Sequence, residues 1–269
     1  MFIDTHSHLY LGELQHHIPE AIEHLKNENF SHTIQIGTSL ETSATCIQLA
    51  ATYDIVRATV GIHPCEAQDI TVEEIPEQMN TLEKMIQDST TVVGLGEIGF
   101  DHYHLSRDSE EAEKQKMRQI EWFRAQAEIA KKYNLPVVIH TRNCPEITLI
   151  ELEKSGLEKF VIHCFSEDWD FAEEILQLSP QSIISFTGIL TYPKSLSIQE
   201  VGQKCPLNRM MIETDAPYLI PENLKGKALY CEPVHSLAVY EKLCELRSES
   251  REEIEKTLWN NSASFFSLQ

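Results

Sequence analysis

Six residues in this chain combine metal-binding side chains with a recurring position, the end of a short apolar run. His6 and His8 stand two apart in Thr5-His6-Ser7-His8, and Glu97 stands in Gly96-Glu97-Ile98-Gly99. His140 follows Val137-Val138-Ile139, His163 follows Val161-Ile162, and Asp215 closes Met210–Asp215. A lone histidine in such a place is ordinarily a hydrogen-bonded packing residue. Four imidazoles and two carboxylates brought together are different, because burying that many ionisable groups is costly unless they are paired or bind metal. His6 and His8 fall on one face of an extended chain, since side chains alternate with period two, and together they pinch one cation. His140 and His163 offer a second site, Glu97 can bridge the two, and Asp215 completes the first. Two divalent cations are therefore expected, at the spacing of about 3.5–4 Å that lets a pair clamp the attacking and leaving oxygens of a displacement. Mg, Mn and Zn are the candidate ions. The mixed imidazole and carboxylate donors suit Zn, Mn, Fe, Co or Ni, whereas Mg sites usually lean on oxygen alone.

Residues so far apart in sequence need a scaffold that gathers strand ends. Eight β-branched runs supply the strands: 2–6, 32–38, 55–62, 91–99, 136–140, 160–165, 182–188 and 210–215. Continuously apolar runs such as Val137-Val138-Ile139 and Met210-Met211-Ile212 suit strands buried on both faces of a parallel sheet. Helical spacing fills the intervals. It is clearest over Glu110–Tyr133, where Met117, Ile120, Phe123, Ala127 and Ala130 recur every three or four residues, and it returns at His235–Arg247 and Arg251–Phe266. Eight strands alternating with helices in about 250 residues describe an α/β fold, a (β/α)8 TIM barrel, as a single domain over residues 1–269. An open doubly wound sheet is the alternative, but no glycine-rich phosphate-binding motif follows any strand. In a barrel the C-terminal strand ends converge on one face, where the six residues meet.

The chain has 42 acidic and 22 basic residues in 269, a formal net charge of −20. A field of that sign repels nucleic acid and anionic membranes at long range and argues against a basic DNA-binding module. No run approaches the roughly 18 apolar residues of a membrane span, and no signal region opens the chain. The seven cysteines form no CxxC pair, which suits free thiols in a reducing compartment; the expectation is a cytoplasmic protein, with nuclear and mitochondrial locations open.

With these motifs in place, the sequence resembles the TatD family of metal-dependent hydrolases within the amidohydrolase superfamily. The matching stretches run along almost the whole chain: 2–9, Gly61-Ile62-His63-Pro64, 94–101, 119–126 leading to 135–142, 162–166 and 212–219. Their order and spacing make the resemblance specific. It implies a (β/α)8 barrel holding one to three divalent cations and hydrolysing phosphodiesters, as in deoxyribonucleases that trim single-stranded DNA or RNA from the 3′ end. Carried over residue by residue, it makes His6, His8, Glu97, His140, His163 and Asp215 the metal ligands. The chain departs from the family pattern where Tyr230-Cys231-Glu232-Pro233 stands for Arg-Asn-Glu-Pro, and where Asn260-Asn261-Ser262 stands for the usual Asn-Thr.

The leading expectation is a divalent-metal-dependent phosphodiester hydrolase acting by metal-activated water. Asp215 is the expected general base, with Glu97 also catalytic. Arg142, just past strand five, is a candidate phosphate clamp because its planar fork binds phosphate bidentately, and a salt bridge to a surface acid is its other reading. His63 is a candidate for substrate binding, with a ligand or wall role open. Lys225 and Lys227, in the loop after strand eight, are candidates for the nucleic-acid backbone or simple solubilising charges. Cys164 reads as a small buried residue beside a ligand, and His16, His17, His24, His102 and His104 show no ligand spacing. The substrate expected is single-stranded or short nucleic acid, because cations supply positive charge at one point while −20 opposes a long grip on duplex. A monomer is favoured. The alternatives are hydrolysis of an amide, lactone or aminoacyl ester on the same scaffold, and a metal-binding interaction protein without turnover.

Overall fold

The computed structural model describes residues 1–268. Along the chain run β1 (Phe2–Ser7), α1 (Ile18–Asn27), β2 (Phe30–Gln35), α2 (Leu40–Thr52), β3 (Val56–Val60), α3 (Pro64–Ala67), α4 (Ile75–Asp88) and β4 (Val92–Asp101). They are followed by α5 (Ser109–Tyr133), β5 (Val137–Arg142), α6 (Pro145–Ser155), β6 (Phe160–Ile162), α7 (Trp169–Leu178) and β7 (Ile183–Phe186). The chain then adds α8 (Leu196–Lys204), β8 (Met210–Ile212), α9 (Ser236–Leu246) and α10 (Arg251–Phe265). The eight strands pair in sequence order, all parallel. The ring closes between the ends of β8 and β1, where Ser7 bridges Ala216 and the His8 N–H donates to the Ala216 carbonyl at 2.7 Å. This is the (β/α)8 barrel expected from the alternation of runs.

Alternation along each strand sorts the core into two layers. Outward residues such as Leu95, Ile98, Val137, Ile139, Ile162, Ile184 and Ile212 pack under the helices. Inward residues Ile3, Ile34, Val138, Val161, Ile183 and Met211 fill the barrel floor, where Phe265 and Phe266 at the end of α10 join them. Above the floor the interior turns polar. Thr59 donates to the Gly96 carbonyl at 2.6 Å, and Ser185 donates to Glu213 at 2.5 Å.

Helix ends are set locally. Asp108 accepts from the Glu110 and Glu111 N–H groups at the start of α5, and Asn134 ends it in a left-handed conformation. Ser39 and Thr42 form a reciprocal capping box on α2, and Ser250 caps α10. Such caps satisfy otherwise unpaired backbone donors. α5 corrects one expectation. Met117 is 56% exposed, while Gln115, Gln119, Trp122 and Gln126 are buried. The reason is that α5 covers strand ends that have lost their ladder partners. Gln119 pairs with both N–H and C=O of Asp101, and Gln126 does the same for Ile62. A buried amide with two backbone partners is as much at home there as an apolar side chain.

Candidate metal centre

The six strand-end residues are brought to one mouth. His6 on β1 and His8 just past its end have Nε2 atoms 3.2 Å apart. The ladder to β2 shifts register between Asp4 and Ser7, so simple alternation is not what aims these rings. Ser7 turns outward to Thr33 and Gln35, and both histidines turn in. A second shift, between Leu95 and Ile98 on β4, presents Glu97. Irregular registers of this kind re-aim side chains at barrel rims. Gly96 permits the close approach, since its φ is +140° and a Cβ there would meet the Val138 Cβ at 2.8 Å.

Glu97 divides its oxygens between two half-sites. Its Oε2 faces His6 Nε2 at 3.5 Å and His8 Nε2 at 4.0 Å. Its Oε1 lies 2.7 Å from both His140 Nδ1 and His163 Nε2. Asp215 joins the first half, with Oδ1 at 3.4 Å from His8 Nε2 and 3.6 Å from His6 Nε2. His6 also stacks on His163, with ring centroids 4.0 Å apart, so the halves are one cluster.

The outer ring nitrogens decide what the inner ones can do. His8 Nδ1 lies 3.2 Å from the Ile36 carbonyl and 3.0 Å from the Tyr10 hydroxyl. His140 Nε2 lies 3.2 Å from Asp101 Oδ2, and His163 Nδ1 lies 3.3 Å from Glu213 Oε1. A proton on each outer nitrogen leaves the inner nitrogen a lone pair directed at the centre, the arrangement by which acceptors behind a metal-binding histidine orient its ring. His6 Nδ1 and His163 Nδ1 are buried without a hydrogen-bond partner, the latter meeting Glu213 as a close charge contact. Four inward imidazole nitrogens and two carboxylates in this geometry fit divalent cations.

His63 is different. Its Nδ1 accepts the Cys65 N–H at 3.0 Å, so a neutral ring carries its proton on Nε2, 3.4 Å from Glu97 Oε1. It is placed as a donor to Glu97. Glu213 and Asp101 are the residues that sequence reasoning passed over. Glu213 is buried and accepts from the Cys164 N–H at 2.6 Å and from Ser185. Asp101 is 1% exposed and accepts from the Tyr103 and His104 N–H groups. Both stood in the strand-end motifs, and the only signal was a second carboxylate two or four positions from a ligand.

Electrostatics follow from this crowding. Burial opposes ionisation of Glu97, but His163, His63 and His140 outweigh it and hold its carboxyl well below the usual range. Burial likewise works against Asp215, and His8 and His6 bring it down. Burial lowers His6 and His63. In His140 and His163 burial acts the same way but is overcome by Asp101, Glu97 and Glu213, and both are raised. The imidazoles around them thus favour the ionised form of both carboxylates, and a cation that binds takes the place of any proton on an inward nitrogen.

The mouth opens into a cleft of about 670 Å³. Arg142 lines it with its guanidinium 4.0 Å above the Tyr103 ring, and Cys164 also lines it, half-buried rather than buried. His104 reaches the cleft through its contact with Asp101. Lys225 and Lys227 are not among the lining residues. Lys225 pairs with Glu222 at 2.6 Å and sits over the Tyr192 ring, and Lys227 donates to the Asn223 carbonyl. Where the sequence reads Tyr230-Cys231, Tyr230 stacks on His17 and Cys231 is fully buried; Glu232 bonds His24 at 2.7 Å. Asn261 donates to the Leu207 and Met210 carbonyls, tying α10 to β8. All seven cysteines are free, and no helix of the described residues is long and apolar enough to cross a membrane.

Comparison with known proteins gives a consistent result. A family model described as TatD related DNase matches residues 3–267. The uncharacterized metal-dependent hydrolase YabD of Bacillus subtilis is 30% identical over 272 residues, covering all of both chains. The uncharacterized metal-dependent hydrolase YjjV of Escherichia coli is 29% identical over 99% of this chain and 98% of its own. The crystal structure of YjjV, a TatD homologue, superposes with a TM-score of 0.89 at 28% identity, covering 100% of this chain and 98% of that one.

Proposed function

The chain belongs to the TatD related DNase family of metal-dependent hydrolases, and from that premise we propose that it hydrolyses phosphodiester bonds, trimming single-stranded DNA or RNA from the 3′ end. The observation that carries the proposal is the placing of Asp215. Its carboxylate reaches the nitrogens of both His6 and His8, yet 18% of its side chain remains open to the cleft. The other carboxylate of the centre, Glu97, is 5% exposed and held by imidazoles on every side. Asp215 is therefore the group that can accept a proton from attacking water at the edge of the centre.

His6, His8 and Asp215 would hold one divalent cation, His140 and His163 a second, with Glu97 shared; Mg, Mn or Zn are the candidate ions. When bound, such ions acidify water toward neutral pH and neutralise charge on a phosphodiester. The remaining work falls to protein groups. His63 holds the Glu97 carboxylate in place. Glu213 and Asp101 fix the rings of His163 and His140, and Arg142 meets a phosphate at the rim. Lys225 and Lys227 would act only on a longer strand, outside the cleft. A cleft of about 670 Å³ suits a strand end better than a duplex, as does a net charge of −20. We place the enzyme in the cytoplasm, a location its free thiols support, and take it as a single monomeric barrel over residues 1–269.

The test is a 5′-labelled single-stranded oligonucleotide incubated with protein loaded with Mn²⁺ or Mg²⁺. Stepwise shortening from the 3′ end that chelator abolishes is expected. No shortening of any oligonucleotide, together with metal-dependent hydrolysis of a small ester, lactone or D-aminoacyl-tRNA, would overturn the nuclease reading. So would tight metal-free binding to duplex DNA at physiological salt.

A further inference from the structure

Beside the centre, on the Arg142 side of the cleft, three more donors converge. Cys65 Sγ lies 3.6 Å from Asp101 Oδ2 and 3.7 Å from His104 Nδ1, and His104 Nδ1 lies 2.8 Å from Asp101 Oδ2. Sulfur, nitrogen and oxygen from three separate residues stand within ligand reach of one point. We propose that Cys65, Asp101 and His104 form an auxiliary site for a thiophilic divalent cation of the zinc class, distinct from the six-residue centre.

The hydrogen-bond count at Asp101 favours a cation over a network of protons. Its Oδ1 is taken by the Tyr103 and His104 N–H groups at 2.8 and 2.9 Å. Its Oδ2 faces three side-chain groups: His140 Nε2 at 3.2 Å, His104 Nδ1 and Cys65 Sγ. A carboxylate oxygen offers about two lone-pair positions, so three proton donors cannot all be served there. A cation ligated by Sγ, Nδ1 and Oδ2 replaces two of those donors with one bond and leaves the other lone pair for His140.

The spacing also fits. A tetrahedral ion with sulfur at about 2.3 Å and nitrogen or oxygen at about 2.0–2.1 Å separates its donors by roughly 3.3–3.6 Å. The two distances to sulfur, 3.6 and 3.7 Å, fall within about 0.1 Å of that range. The His104–Asp101 distance must open from 2.8 Å by about half an ångström, which the 48% exposed His104 side chain allows. Three protein ligands leave a fourth position facing the cleft, as in metal sites that take a substrate oxygen. The backbone supports the geometry, because the Cys65 N–H is held by His63 and the His104 N–H by Asp101 itself. The shared Asp101 carboxylate links this site to His140.

Cobalt titration of the full-length chain tests the site by a signature the main centre lacks, since none of its six residues is a cysteine. A sulfur-to-cobalt charge-transfer band is expected in the wild type and in Cys164→Ser, whose thiol also lines the cleft. Cys65→Ser should lose the band and bind one fewer cobalt ion per chain. His104→Ala should need about tenfold or more cobalt for the half-maximal band, since losing a direct ligand costs no less than losing a group that only hydrogen-bonds a ligand. No band in the wild type, a band that survives in Cys65→Ser, or one that disappears in Cys164→Ser would overturn the proposal. Should Cys65→Ser not fold, the exposed His104→Ala variant decides: an unshifted titration overturns it. None of these readouts depends on nuclease activity, so this site and the function proposed above fail separately.

Discussion

The floor and the mouth of this barrel are built from the same eight strands and obey opposite rules. At the floor, Ile3, Ile34, Val138, Val161, Ile183 and Met211 meet Phe265 and Phe266 in a dry cluster. A few residues further along the same strands, His6, Glu97, His140, His163 and Asp215 crowd titratable atoms to within 4 Å of one another. The floor gains free energy from burial. The mouth accepts the cost of burying carboxylates and imidazoles, because the carboxylates face imidazole nitrogens and the outer nitrogens of His8 and His140 have acceptors. Barrel enzymes generally divide stability and chemistry between the two ends in this way, and here the division can be followed strand by strand.

If the division holds, changes at the mouth should remove activity and spare folding. Asp215→Asn is expected to lower oligonucleotide turnover about 10²–10⁴-fold, the contribution of a positioned general base, with an unchanged melting temperature. Retained turnover would remove Asp215 from that role. Changes at the floor should do the reverse. Phe266→Ala, at a side chain 1% exposed, should cost about 3–5 kcal/mol in denaturant unfolding, while turnover per folded molecule stays the same. A loss of turnover at full folding would break the comparison.

Glu213 lies between the two regions and sharpens the boundary. Glu213→Gln keeps an acceptor for the Cys164 N–H but weakens the hold on His163 Nδ1. It should weaken metal binding about 10–100-fold by calorimetry with little change in unfolding. An unchanged affinity would make Glu213 part of the packing alone.

The smallest effect is expected at His32, an inward residue of β2 near the floor. Burial, with the Arg57 charge beside it, pulls its pKa down to about 4, against about 6.5 in an unfolded chain. Between those values the unfolded chain binds more protons, so the contribution of His32 is complete above pH 6.5 and falls as pH drops toward 4. His32→Leu should flatten the stability profile over that window, and it also removes a buried Nδ1 that has no partner. A profile parallel to wild type would show that His32 is not buried neutral.

The strands were legible because apolar runs buried on two faces leave a plain mark, and all eight lie where those runs predict, with ends shifted by a few residues. The six strand-end residues were legible as a set because a barrel has one place to put them. What the sequence could not carry was the layer behind them. The donor role of His63 depends on a backbone N–H two residues away, and the roles of Asp101 and Glu213 depend on which ring nitrogen each one faces. Gln119 and Gln126 broke the apolar pattern of α5 because they pair with strand backbone that no periodicity reveals. Lys225 and Lys227 looked well placed from their loop, yet that loop turns them onto Glu222, Tyr192 and Asn223.

Anomalous scattering from crystals soaked in Mn²⁺ locates bound cations directly. Two peaks are expected at the mouth, one against His6, His8 and Asp215 and one against His140 and His163, both within reach of Glu97. A soaked crystal with no peak among these six residues, from protein that shortens oligonucleotides in Mn²⁺, would contradict the assignment of the mouth as the metal centre.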